Sequence, residues 1–287
     1  MTTPLRDCLE MWHDEFPRYS LRSNEGDPNN MCYDDNAMPP TPPGEAGIAH
    51  GEDIVLTAAD GNRFAAYFAH PASPKGAQIL VYPDVRGLHN FYKELALRFA
   101  EVGIAALTID YFGRTAGLTA RDESFDFWPH VQQLQLTSFF TDVSAALSHL
   151  RTGEGAHWSS FTVGFCMGGT LSFLTGTGGE FNLAGVIGFY AGMSRKFGGA
   201  STTLLEEADH IKYPALGLFG GNDQGIPVEQ VHEFDKGLDK AGVPHEVIIY
   251  PGATHSFFDR RATEFAEESA DAWQRVLGFI SAYTQKK

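Results

Sequence analysis

The sequence predicts an α/β protein built on one mostly parallel central sheet with helices on both faces. Three observations lead there. Short apolar runs alternate with helical periods through residues 51–287, the order of repeated βαβ units. The runs read as strands buried on both sides, as parallel strands are. No linker interrupts the stretch, and 287 residues at 43% hydrophobic and 20% charged fit one large domain with an ample core.

Residues 1–50 read differently, as an irregular arm. Pro28, Pro39, Pro40, Pro42 and Pro43 stand among Asn and Asp clusters, without periodicity. The arm also carries Met11, Trp12, Phe16, Tyr19, Met31 and Tyr33, which suits a strap over the domain or over a second copy in a homodimer. The domain follows from Gly51. Asp53–Ala59 and Arg63–His70 flank Asp60-Gly61-Asn62, a hairpin signal. Gln78–Tyr82 is a buried strand; Tyr92, Leu95, Ala96, Phe99 and Ala100 mark an amphipathic helix. Ile104–Ile109 is the next strand, and Val143, Ala146, Leu147 and Leu150 the next helix. Strands follow at Ser160–Phe165, Gly185–Phe189 and Ala215–Phe219. Val231, Phe234 and Leu238 form a helix, Glu246–Tyr250 a strand, and Trp273, Val276, Leu277 and Ile280 the closing helix.

Charge narrows the partners. With 21 Lys+Arg against 36 Asp+Glu, the formal net charge is −15, which argues against nucleic acid and anionic membranes. No stretch approaches the roughly 18 apolar residues of a spanning helix. The three cysteines, Cys8, Cys32 and Cys166, are too few for a disulfide scaffold, and residues 1–16 lack the apolar run of a secretory signal. A cytoplasmic setting is the expectation. No H-E-x-x-H or C-x-x-C spacing appears, so no metal is expected.

In such sheets ligands bind at the carboxyl ends of the strands. After one strand comes Gly164-Phe-Cys-Met-Gly168, a G-x-C-x-G turn into a helix. A sharp strand-to-helix turn strains its apex residue and crowds the positions two before and two after, so both are Gly. Cys166 then projects above the sheet beside a helix N-terminus, where the dipole favours thiolate. A thiol nucleophile needs a base, and the base an orienter. Asp223 follows the strand ending at Phe219, and His255 the strand ending at Tyr250. The chain order nucleophile, acid, His is that of this fold class. The oxyanion donors expected are the backbone N–H groups of Met167 and of Val85, in the loop after the third strand.

These motifs together resemble the dienelactone hydrolase family. Tyr82–Gly87, Asp110–Arg114, Gly164–Gly169, Gly188–Tyr190, Gly220–Asp223 and Gly252–Phe257 carry the resemblance over about residues 53–285. It implies an α/β-hydrolase fold, no cofactor, and a Cys166-His255-Asp223 triad cleaving esters or lactones. Some members open dienelactones with a Glu beside the thiol and two Arg that grip the substrate carboxylate. Asp84 takes the Glu position, one methylene shorter. Arg114 matches the first Arg; the second falls on Asp259, followed by Arg260 and Arg261. Tyr190 matches a family Tyr beside the site. Residues 111–133 carry Tyr111, Phe112, Phe125, Phe127 and Trp128, suited to an apolar pocket or a packed satellite cluster. The expected substrate-binding set is Asp84, Arg86, Arg114, Trp128, Tyr190 and Phe257. The expected activity is hydrolysis of small to medium carboxylic esters or lactones through an acyl-enzyme. The alternative is a catalytically idle relative with a redox-sensing or regulatory Cys166.

Overall fold

A computed structural model describes residues 37–198 and 200–285. Most of the expected arm, with Cys8 and Cys32, lies outside the described residues. Its described end runs irregularly until strand β1 takes Ala49–Thr57, so regular structure starts two residues before the expected boundary. Here the Trp273 indole N–H donates to the Pro40 carbonyl at 2.9 Å, and the Gly47 N–H to the Glu101 carbonyl at 2.8 Å.

Eight strands form one sheet in the order β1-β2-β4-β3-β5-β6-β7-β8 among the described residues. β2 is Arg63–Pro71, β3 Ala77–Tyr82, β4 Ile104–Ile109, β5 Ser159–Phe165, β6 Gly185–Phe189, β7 Ala215–Gly220 and β8 His245–Tyr250. β1 pairs with β2, and β2 with β4, antiparallel; the other pairs are parallel. Every residue of β3, β4, β5, β6 and β7 is buried, the physical reason their sequences are nearly continuous apolar runs.

Strand alternation sends neighbours to opposite faces. On β5, Phe161 meets Phe279 of helix α8 (Ala266–Tyr283), whereas Thr162 bonds Ser172 of helix α5 (Met167–Thr175) at 2.8 Å. Helix α1 (Asn90–Glu101) shares the α8 face, Phe99 crossing Trp273 edge-on at 4.9 Å. Helices α4 (Leu136–Leu150) and α7 (Val228–Ala241) share the α5 face, through Tyr82–Phe139 and Phe173–Phe234 contacts. The stretch 111–133 holds two short helices, α2 (Gly113–Ala116) and α3 (Trp128–Gln133); a further short helix, α6, spans Leu204–Glu207. Among the described residues no helix is long and apolar enough to cross a membrane, and no cluster of three or more His, Cys, Asp or Glu could hold a metal ion.

Candidate active site

Cys166 is the joint between β5 and α5. Its backbone stands at φ +54°, ψ −116°, a strained setting for a residue with a side chain, and it is the residue before the helix begins. The flanking glycines are sterically required. A Cβ on Gly164 would stand 1.9 Å from the Gly168 carbonyl oxygen, and one on Gly168 would stand 2.2 Å from the Tyr82 and Pro83 carbonyl oxygens. The elbow is thus pressed against the end of β3 and the loop that follows it. The Cys166 side chain is half-buried, at the helix N-terminus that the sequence predicted.

His255, in the loop after β8, lies beside both Cys166 and Asp223. Its Nδ1 lies 2.7 Å from Asp223 Oδ2, and the Cys166 sulfur is near enough to favour charge on the ring. Asp223, at the turn after β7, is 2% exposed at its side chain and accepts the Gly225 N–H through Oδ1 at 2.8 Å. That second bond holds the carboxylate while Oδ2 faces the imidazole. Burial opposes a charge on His255, but the nearby Cys166 sulfur and the Asp223 hydrogen bond outweigh it and raise the imidazole well above its ordinary 6.5. The three residues expected from sequence are therefore neighbours, each from the end of a different strand.

The oxyanion candidates flank the elbow. Met167 is the first residue of α5, and Val85 lies in the Pro83–Gly87 loop against which Gly168 packs. Neither N–H donates to a protein acceptor among the described residues. Asp84 is buried; its Oδ1 accepts the Arg86 N–H at 2.9 Å and lies 3.7 Å from His89 Nε2. Burial would raise its pKa, but His89 and Arg86 more than offset it and keep the carboxyl below its usual range. His89 is thus a buried neighbour of Asp84. Arg86 itself is buried.

Several of the expected substrate contacts have partners within the protein. Arg114 is held in an internal ion-pair cluster: Nε and Nη2 bond Asp142, Nη1 and Nη2 bond Asp60, and Nη2 also reaches the Ser138 carbonyl. Its fork is filled by two carboxylates, so it is not a free grip for a substrate's. Phe257 is fully buried against Tyr190 and Tyr250, supporting the His255 loop from below rather than facing substrate. Tyr190 is also fully buried; its ring lies 4.9 Å from the His255 ring, and its hydroxyl donates to Asp259 Oδ2 at 2.5 Å. Asp259, where the resemblance sought an arginine, thus anchors the tyrosine beneath the histidine. Arg261 pairs with Glu264 and Thr254. Trp128 opens α3 and packs on Phe127, while His130 stacks on Phe125, Phe112 leans on both, and the Arg121 guanidinium covers the Phe125 ring. The 111–133 aromatics therefore form a packed cluster, with Arg121 tied to Asp110 at 2.7 Å.

Arg114→Ala accordingly acts on stability. Asp142, 2% exposed at its side chain, would keep only the Asn62 amide as a side-chain partner. The expected cost is about 2 kcal/mol, less than for a fully buried pair because the guanidinium is 24% exposed. Thermal melts read the loss. A panel of esters with and without a carboxylate should show no selective defect; loss confined to carboxylate-bearing esters would contradict the internal role.

Comparison with known proteins follows the same lines. Residues 64–284 match the dienelactone hydrolase family. A carboxymethylenebutenolidase of Pseudomonas putida is 26% identical over 246 residues, covering 82% of this chain and 98% of that protein. A Methylorubrum extorquens protein assigned as a carboxymethylenebutenolidase is 29% identical over 212 residues, 71% of this chain and 72% of that one. A Klebsiella pneumoniae crystal structure assigned as a dienelactone hydrolase superposes with a TM-score of 0.72 at 24% identity, covering 82% of this chain and 99% of that chain, which supports the fold.

Proposed function

Since the chain belongs to the dienelactone hydrolase family, a family of hydrolases acting on lactone esters, we propose that it cleaves carboxylic esters or lactones through Cys166, His255 and Asp223 by way of an acyl-enzyme. The observation that carries this reading is the Asp223 Oδ2–His255 Nδ1 bond of 2.7 Å beside Cys166, which stands at a strained elbow that opens a helix.

Asp223 and the neighbouring sulfur favour the charged imidazole, and the cycle starts with the Cys166 sulfur as nucleophile and His255 as proton donor. The thiolate attacks the ester carbonyl. The oxyanion accepts hydrogen bonds from the Met167 and Val85 N–H groups. Collapse breaks the C–O bond, His255 gives its proton to the departing alkoxide, and a thioester remains on Cys166. Neutral His255 then takes a proton from water, whose hydroxide attacks the thioester. The second tetrahedral species expels the thiolate, which restores the pair, with ester and water converted to acid and alcohol. Because Arg114, Arg121 and Arg261 are all engaged by internal partners, the substrate class that suits the site is a small ester or lactone without an obligatory carboxylate.

The pH profile tests this. A raised imidazole pKa means the proton donor is fully present below the ordinary value of 6.5 and is lost only as pH rises through the higher, folded value. Burst release of p-nitrophenol from its acetate should hold through neutral pH and decline well above 6.5. Alkylation of Cys166 by iodoacetamide needs no proton donor and should not decline with it. Asp223→Asn should move the alkaline decline to lower pH. A wild-type decline centred on 6.5, or no burst, would contradict the reading.

A further inference from the structure

Tyr111 follows the end of β4, whose parallel neighbour is β3. Sequence left it between a pocket wall and a packed cluster, and it is 2% exposed. Its hydroxyl turns instead to the loop after β3, where it donates to the Pro83 carbonyl at 2.5 Å and to the Asp84 carbonyl. The ring is held for that task, edge-on to Phe112 at 4.9 Å and to Phe139 at 6.3 Å.

The Asp84 carbonyl and the Val85 N–H belong to one peptide unit. That unit is planar and trans, so its oxygen and its hydrogen point to opposite sides. A hydroxyl that holds the oxygen on one side therefore sets the direction of the N–H on the other. The Pro83 carbonyl, gripped by the same hydroxyl, is also the atom that a Cβ on Gly168 would strike. Tyr111 thus fixes the loop where it meets the elbow. Cys166 is near enough for its charge to act on the phenol, and burial with the Asp84, Cys166 and Asp110 charges pushes that phenol well above its ordinary 10.0, so it remains a donor.

We propose that Tyr111 is a positioning residue, whose hydroxyl, bridging the Pro83 and Asp84 carbonyls, aims the Val85 N–H at the oxyanion formed on Cys166. The inference rests on the Cys166 hydrolase reading and adds to it a residue that never touches substrate. Without the hydroxyl, the Asp84 carbonyl keeps only the Gly87 N–H, at 3.1 Å, as a partner, and the Val85 N–H of the same peptide is held less firmly in its alignment. Losing a donor outright costs about 10²–10³ in kcat, so misalignment should cost roughly 10- to 100-fold.

The test compares wild type, Tyr111→Phe and a protein carrying p-fluorophenylalanine at position 111, which fills the hydroxyl's volume without its proton. The substrate is p-nitrophenyl acetate. Both variants should lose kcat roughly 10- to 100-fold with KM within about threefold, because the lost interaction belongs to the transition state. An aldehyde analogue, which forms a hemithioacetal with an oxyanion-like oxygen, should bind more weakly by a similar factor. Iodoacetamide alkylation, which needs the thiolate but no oxyanion donor, should keep its wild-type rate and certify an intact site. If Tyr111→Phe does not fold, the p-fluorophenylalanine protein decides. Unchanged kcat would overturn the inference, and so would alkylation falling in step with hydrolysis, which would place the effect on the thiol. Cys166→Ala, run alongside, separates the failures: if it hydrolyses at the wild-type rate, the hydrolase reading fails, whereas an inactive Cys166→Ala with a fully active Tyr111→Phe removes the role of Tyr111 alone.

Discussion

Cys166→Ala should lower ester hydrolysis by at least about 10⁴-fold, abolish the burst of alcohol release, and leave the fold intact. The loss is large because the members of such a unit act together: without the sulfur, His255 and Asp223 have no nucleophile to charge, and only the two N–H donors and binding remain. The fold survives because the side chain is half-buried and the backbone strain at φ +54° is unaltered by a Cβ of the same kind. Initial rates on p-nitrophenyl acetate, with a thermal melt for each protein, check both halves. Cys166→Ala with a wild-type burst would refute the nucleophile. A collapsed melting curve would refute the claim that the thiol serves chemistry rather than packing.

The second large effect is on the elbow backbone. Gly164→Ala should destabilise the protein by roughly 3–5 kcal/mol, with activity lost through unfolding. The new methyl would stand 1.9 Å from the Gly168 carbonyl oxygen and 2.2 Å from the carbonyl carbon, both backbone atoms that cannot swing aside. Relief requires parting β5 from α5, the two elements that hold Cys166. Gly252→Ala is the matched control: nothing lies within 4 Å of its Cβ position, so it should stay within about 0.5 kcal/mol of wild type. Denaturant midpoints measure both. Equal midpoints for Gly164→Ala and wild type would show that the elbow is looser than described.

Those two glycines also show what sequence can carry. Gly164, Cys166 and Gly168 are legible because one local turn imposes all three requirements within five residues. β3, β4 and β5 are legible because burial on both faces leaves continuous apolar runs, QILVY and IAALTI among them. Asp223 and His255 are legible because each follows such a run, and parallel strands bring their carboxyl ends together. The partners of Arg114 are not legible, because they depend on tertiary structure: Asp60 is 54 positions away and Asp142 is 28. Nor are the hydroxyl partners of Tyr111 and Tyr190, since Asp84 and Asp259 lie 27 and 69 positions off. Phe257 stands two residues after His255, and the positive φ of +61° at Ser256 between them accompanies a chain that runs into the core. α2 and α3 have four and six residues, too few to express a helical period.

The central claim is that the acyl group passes through the Cys166 sulfur, and rapid acid quenching with mass measurement tests it most directly. Wild-type protein mixed with p-nitrophenyl acetate and quenched within the burst should gain the mass of one acetyl group, located on the peptide that contains Cys166. Asp223→Asn should accumulate it more slowly, and Cys166→Ala should not acquire it. An unmodified Cys166 peptide during full turnover, or an acetyl group on another residue with the same kinetics, would contradict the account.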